Sequence, residues 1–106
     1  MSTSNVKVES YRDWTVWQKS IELVKHIYQL TQNFSADEKF GLVSQMRRAA
    51  VSIPSNIAEG QARRTTGDYI RFVSIAEGSL AELDTQLILS IELSYCSKAN
   101  TKEIFL

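Results

Sequence analysis

Cysteine is nearly missing from this chain of 106 residues: Cys96 stands alone. No intrachain disulfide can form, and a reducing compartment suits it. Histidine is as scarce, with His26 its single representative. One Cys and one His cannot build a zinc site of the usual ligand types, so no metal or other cofactor is expected. The serines have no serine elbow around them and one histidine to share. No glycine-rich phosphate loop is present either. With one proline and four glycines, the chain has little material for hairpin turns, which favours long helices. No uninterrupted apolar run nears the ~20 residues that cross a bilayer. The polar start, Met1 to Ser10, lacks the apolar centre of a signal peptide. The expectation is a cytoplasmic, non-membrane, non-enzymatic chain with no small-molecule substrate.

Net charge is absent too, twelve Lys/Arg balancing twelve Asp/Glu, which argues against binding polyanions through bulk charge. The charges are unevenly placed. Residues 35–64 hold five basic and three acidic side chains, residues 65–97 one and five. Pairing of the two segments with each other is the plainer reading; a partner facing one of them is the other.

What remains is helical pattern, and it fits one domain with a single modest core. Residues 1–10 read as a flexible polar arm, and 11–106 as a helical bundle. A first helix is expected over about 13–32. Trp14, Trp17, Ile21, Val24, Tyr28 and Thr31 recur at spacings of three and four, beside a second stripe of Val16, Leu23, Ile27, Leu30 and Phe34. His26 borders the wet face with no Cys, His or carboxylate cluster around it, and reads as a surface histidine. Ser35 to Glu38 has the form of a capping box, so a second helix is expected over about 36–62. Thr65 to Asp68 repeats the signal and opens a third helix over about 66–95, whose seam runs Tyr69, Val73, Ala76, Leu80, Leu83, Leu87. Gly78 and Ser79 are small residues in that seam and point to close helix–helix approach there. Asn100 with Glu103 reads as one more helix start, leaving a short stub over 101–106.

The second helix carries the densest information, from Gln45 to Gly60. One side, Leu42, Val43, Met46, Ala49, Ala50, Ile53 and Ile57, is core. The other holds Gln45, Arg48, Ser52, Ser55, Asn56, Glu59 and Arg63 within a narrow arc. Pro54 falls mid-run, where it removes a backbone hydrogen bond and crowds the Ala50 carbonyl at ~3 kcal/mol. A kink is expected, with Ser52 and Ser55 helping to satisfy the freed backbone groups. Arg47, Arg48, Arg63, Arg64 and Arg71 suit phosphate, the alternative being internal pairs such as Glu59 with Arg63. Glu77, Glu82, Asp84 and Glu92 read as a solvated acidic face and not an acid/base set.

Several of these segments together resemble a known family. They are Tyr11-Arg12-Asp13, Val16-Trp17-Gln18-Lys19, Phe40-Gly41-Leu42, the run ending Asn56-Ile57-Ala58-Glu59-Gly60, Ile75-Ala76, and Gly78-Ser79-Leu80-Ala81-Glu82-Leu83. The chain resembles, from about Tyr11 to Tyr95, the four-helix-bundle proteins associated with intervening sequences in bacterial 23S ribosomal RNA genes. That resemblance implies an up-and-down four-helix bundle, here with a truncated fourth helix, assembled as a ring-like homopentamer. It also implies kinship to the accessory variability determinant of diversity-generating retroelements, a bundle that binds nucleic acid and reverse transcriptase through basic residues. In this chain Arg47, Arg48, Arg63 and Arg64 fall at the basic positions; Asn56 and Glu59 match the polar motif. Gln45, Ser52, Pro54, Ser55, Asn56, Glu59 and Gly60 are then candidates for an oligomer or structural motif. The expected function is a homo-oligomer that binds RNA or DNA, structured RNA first, with reverse transcriptase a possible partner. The alternatives are a protein-interaction scaffold and a remnant of an intervening sequence with no retained activity.

Overall fold

The computed structural model describes Tyr11 and residues 14–104. The fold is all-α, with three α-helices and no strand among the described residues: α1 (Thr15–Thr31), α2 (Leu42–Gln61) and α3 (Thr66–Glu92). The 1–10 arm, the expected helix start at Asp13, and Phe105 and Leu106 of the stub lie outside the described residues. A fourth helix is not among the elements described.

Helix α2 is the middle layer. It packs against both α1 and α3, which make little contact with each other. Its stripe of Val43, Met46, Ala49, Ala50, Ile53 and Ile57 is buried and meets Ile27 of α1 and Ala76, Leu83 and Leu87 of α3. Burying such side chains is worth ~1.5–3 kcal/mol each. On the open side, α1 and α3 leave an apolar groove of about 280 Å³ between Trp14, Val16, Ile53, Val73 and Leu80.

The helix ends depart from the sequence expectation in instructive ways. The capping box at Ser35 does not start α2. Ser35 Oγ accepts from the Asp37 N–H at 3.3 Å, and Ala36–Glu38 forms one 3₁₀ turn. The Glu38 carboxylate points the other way. Its Oε1 accepts from the Leu42 N–H at 3.2 Å and its Oε2 from the Tyr95 hydroxyl at 2.6 Å. Glu38 thus satisfies an orphan donor of α2 from outside the helix, and α2 begins at Leu42, not at 36.

The signal at Thr65 does start α3, its Oγ1 accepting from the Asp68 N–H at 3.1 Å. The helix stops at Glu92 and not at 95 because Ser94 turns left-handed, with φ 64°. The Tyr95 N–H bonds the Ser90 carbonyl at 2.8 Å and the Ser94 N–H the Ile91 carbonyl at 3.0 Å, a Schellman ending without its usual glycine. Further on, Ser97 is the N-cap and Asn100 its reciprocal partner, so Asn100 does not head a helix. Lys98–Thr101 is a 3₁₀ turn, continued by the bond from the Ile104 N–H to the Thr101 carbonyl at 3.0 Å. This turn returns the chain to α1: Thr101 is buried and Ile104 packs against the core.

Helix α2 runs unbroken through Pro54, whose ring is buried. The hydroxyl of Ser55 donates to the Val51 carbonyl at 2.8 Å, and Asn56 Nδ2 to the Ser52 carbonyl at 2.8 Å. Side chains thus bond the two carbonyls just after that of Ala50, the acceptor that the proline leaves without its helical donor.

Candidate functional site

The polar arc of α2 divides once its neighbours are in place. Ser52 and Asn56 do not face solvent; they form a polar seam with α3. Ser52 Oγ lies 2.8 Å from Ser79 Oγ, and Asn56 Nδ2 donates to Ser52 Oγ at 2.9 Å. One turn further along this flank is Gly60. A Cβ there would stand 3.0 Å from Phe72 Cβ and 3.4 Å from the Tyr69 carbonyl oxygen. Ser52, Asn56 and Gly60, spaced at four, therefore set how closely α2 and α3 approach. Gly78 has no such duty, since a Cβ on it would meet nothing within 4 Å. In this seam the close approach lies at Ser79 and not at Gly78. Gln45, Arg48, Ser55 and Glu59 are exposed.

The five arginines also separate. Arg47 is half-buried and reaches across to the end of α1. Its Nε donates to Thr31 Oγ1 at 2.9 Å and its Nη2 to the Tyr28 carbonyl at 3.3 Å. Its guanidinium carbon lies 4.4 Å from the Tyr28 ring centre. The last turn of α1 carries no basic residue of its own. Arg47 supplies the cation that this negative helix end favours, and a second donor to the Tyr28 carbonyl, which also accepts from the Gln32 N–H at 3.1 Å. Arg63 is held by Glu59 at 2.7 Å and stands 4.7 Å from the Phe72 ring centre. Arg71 lies 4.6 Å from the same ring and 3.9 Å from Asp68. Arg48 and Arg64 are exposed and have no hydrogen bond, ion pair or aromatic partner among the described residues.

Sequence reasoning missed three features. The first is the Glu38–Tyr95 contact, which joins residues 57 positions apart. The Tyr95 hydroxyl and then the Leu42 N–H hold the Glu38 carboxyl below its ordinary range, while the hydrogen bond to Glu38 pushes the Tyr95 phenol up. The second is Glu103, whose Oε2 lies 3.3 Å from His26 Nε2. His26 therefore has a carboxylate beside it after all, brought by the returning C-terminal turn. The third is Phe40, 89% exposed in the α1–α2 connection. No local pattern marks it, because an apolar residue in a short loop is ordinarily read as core.

No group of three or more His, Cys, Asp or Glu side chains that could hold a metal occurs among the described residues. No helix is long and apolar enough to cross a membrane among them. Burial pushes the Cys96 thiol up, away from a nucleophilic thiolate. The arrangement is a set of packed helices in which Ser52, Asn56 and Arg47 serve helix contacts, with Arg48 and Arg64 left without such partners among the described residues. The chain belongs to the 23S rRNA-intervening sequence protein family, whose model matches residues 12–106. Comparison with curated proteins gives no match.

Proposed function

We propose that this chain is a non-enzymatic helical-bundle protein that assembles with copies of itself and binds nucleic acid, structured RNA first, through Arg48 and Arg64. The observation that carries this reading is the contrast among the arginines. Arg47, Arg63 and Arg71 are occupied within the subunit, whereas Arg48 and Arg64 are exposed and unpaired among the described residues. Guanidinium groups of that kind suit phosphate, each contact adding a modest, salt-dependent increment.

One subunit is a weak binder on this account. About 20 Å of helix separates Arg48 from the end of α2 near Arg64, well beyond a Debye length of about 8 Å. An assembly of copies multiplies both residues, and the family resemblance implies a pentamer. The finer architecture follows the same reading: the groove between α1 and α3 is the place a fourth helix takes in an up-and-down bundle. Its apolar lining and the return of the chain at Ser97 to Ile104 towards α1 support that reading.

The test is the double variant Arg48→Ala/Arg64→Ala, titrated against a fluorescent structured RNA with its mass measured in parallel by light scattering. The expected result is at least a tenfold loss of affinity at unchanged mass. Undiminished affinity would overturn the reading. A fall in mass without RNA would assign the arginines to subunit contacts, the scaffold reading that exposed Phe40 favours.

A further inference from the structure

Phe40 is the most exposed large apolar side chain described, at 89%. The Lys39 ammonium stands over its ring, 5.6 Å from the ring centre. Burying an aromatic ring is a large apolar gain, so a ring left in water at a short connection has an unmet partner. Elsewhere on the α1–α2 pair there is an apolar groove of about 310 Å³. Trp17, Ile21 and Val24 form its α1 wall and Val51, Pro54 and Ala58 its α2 wall. Buried Pro54 contributes a ring without a backbone donor, and Tyr11 and Ser55 add the polar groups of the lining.

The groove lies in the first half of α1 and the second half of α2. Phe40 sits in the connection at the opposite end of the pair. At 1.5 Å per residue, roughly 10–20 Å of α1 separates Val24 and Trp17 from the end of the helix near Thr31. The Phe40 of one molecule therefore cannot fill its own groove, but the Phe40 of a second copy can.

The charges around the two features are complementary. The turn before Phe40 carries Asp37 and Glu38 against Lys39. Asp37 is exposed with no ion-pair partner among the described residues. Around the groove Lys25, one turn beyond Ile21 on α1, is paired with Glu22 at 3.3 Å, whereas Arg48, one turn before Val51 on α2, has no ion-pair partner among the described residues. With both Glu38 oxygens engaged by Tyr95 and the Leu42 N–H, Asp37 and Arg48 are the opposite charges left to meet, and such a meeting favours orientation and rate of encounter. The same acidic residues disfavour base stacking of Phe40 on a polyanion.

We infer that Phe40 of one copy inserts into the Trp17–Pro54 groove of another, and that this contact joins subunits. The inference rests on the self-assembly proposed above and names the residues that make it. Phe40→Ser removes the ring without touching the core, so circular dichroism of the variant stays that of the wild type. Its mass by light scattering falls to that of the monomer, whereas the control Ile70→Ser, at an apolar position of α3 that is 56% exposed, leaves the mass unchanged. In a Cys96→Ser background that keeps the Phe40 ring, Lys39→Cys with Ala58→Cys gives an intermolecular disulfide on mild oxidation; Ile70→Cys with Ala58→Cys gives none. A wild-type protein that is monomeric would overturn the contact and the self-assembly together. A wild-type oligomer whose mass survives Phe40→Ser, with no crosslink formed, would overturn the contact alone. Loss of RNA affinity by Phe40→Ser at unchanged mass would place the ring against a base and also overturn it.

Discussion

A methyl group on Gly60 meets Phe72 Cβ at 3.0 Å, whereas one on Gly78 meets nothing within 4 Å. Both glycines sit inside helices, so both substitutions gain up to ~1 kcal/mol of helix propensity. At Gly60 that gain is outweighed by overpacking of ~1–3 kcal/mol. Thermal unfolding is expected to separate them in sign: Gly60→Ala lowers the melting temperature by several degrees, and Gly78→Ala raises it. Ser94 offers a third case. Its φ of 64° costs a residue with a Cβ roughly 1–2 kcal/mol that glycine does not spend. Ser94→Gly is therefore expected to be more stable than the wild type in urea titration by about 1 kcal/mol.

At the scale of elements, Arg47 acts as the end-piece of α1. Arg47→Ala leaves the Tyr28 carbonyl and the Thr31 hydroxyl without their charged donor. A loss of ~1–3 kcal/mol is expected by chemical denaturation, against less than ~0.5 kcal/mol for exposed Arg48→Ala. Arg47→Lys recovers the charge but not the forked geometry, so it restores only part of the loss. Variants that remove Arg47 and Arg48 together consequently confound folding with binding.

The contact of Glu38 with Tyr95 ties the α1–α2 connection to the end of α3, and it is pH-dependent at both ends. Glu38 is held below its ordinary value of 4.5, so its contribution is present above pH 4.5 and lost as pH falls through the lower folded value. Tyr95 is held above 10.0, so its contribution is present below pH 10.0 and lost as pH rises through the higher folded value. The gap in melting temperature between wild type and Tyr95→Phe should be widest between those limits and close beyond each.

The same contact explains why helix boundaries were only partly legible from the residues. Thr65 and Asp68 announced α3 correctly because that cap is local. Ser35 and Glu38 carry an equally good local signal, but Tyr95, distant in sequence, takes the carboxylate. Ser94 ends α3 where no glycine advertises an ending. The core stripe of α2 was readable because apolar periodicity reports burial. The seam of Ser52, Asn56 and Ser79 was not, because polar residues that satisfy each other across a helix pair have the pattern of a wet face.

For the whole molecule, the packing of α1 and α3 on α2 leaves apolar surface in two places: the groove at Val16 and Leu80, and the groove at Trp17 and Pro54. With Phe40 exposed besides, the isolated subunit resembles a component more than a finished particle. The proposed nucleic-acid binding depends on that view, because the two arginines left unpaired among the described residues bind only as an array.

The salt dependence of RNA binding tests this account most directly. Each phosphate contact on a single strand contributes about −0.7 to the slope of log K against log salt, and on a duplex about −0.9. The slope of the wild-type assembly should be steep, and Arg48→Ala/Arg64→Ala should flatten it by about one contact for each arginine that engages RNA. A flat wild-type slope, or the same slope in wild type and double variant, would contradict the account.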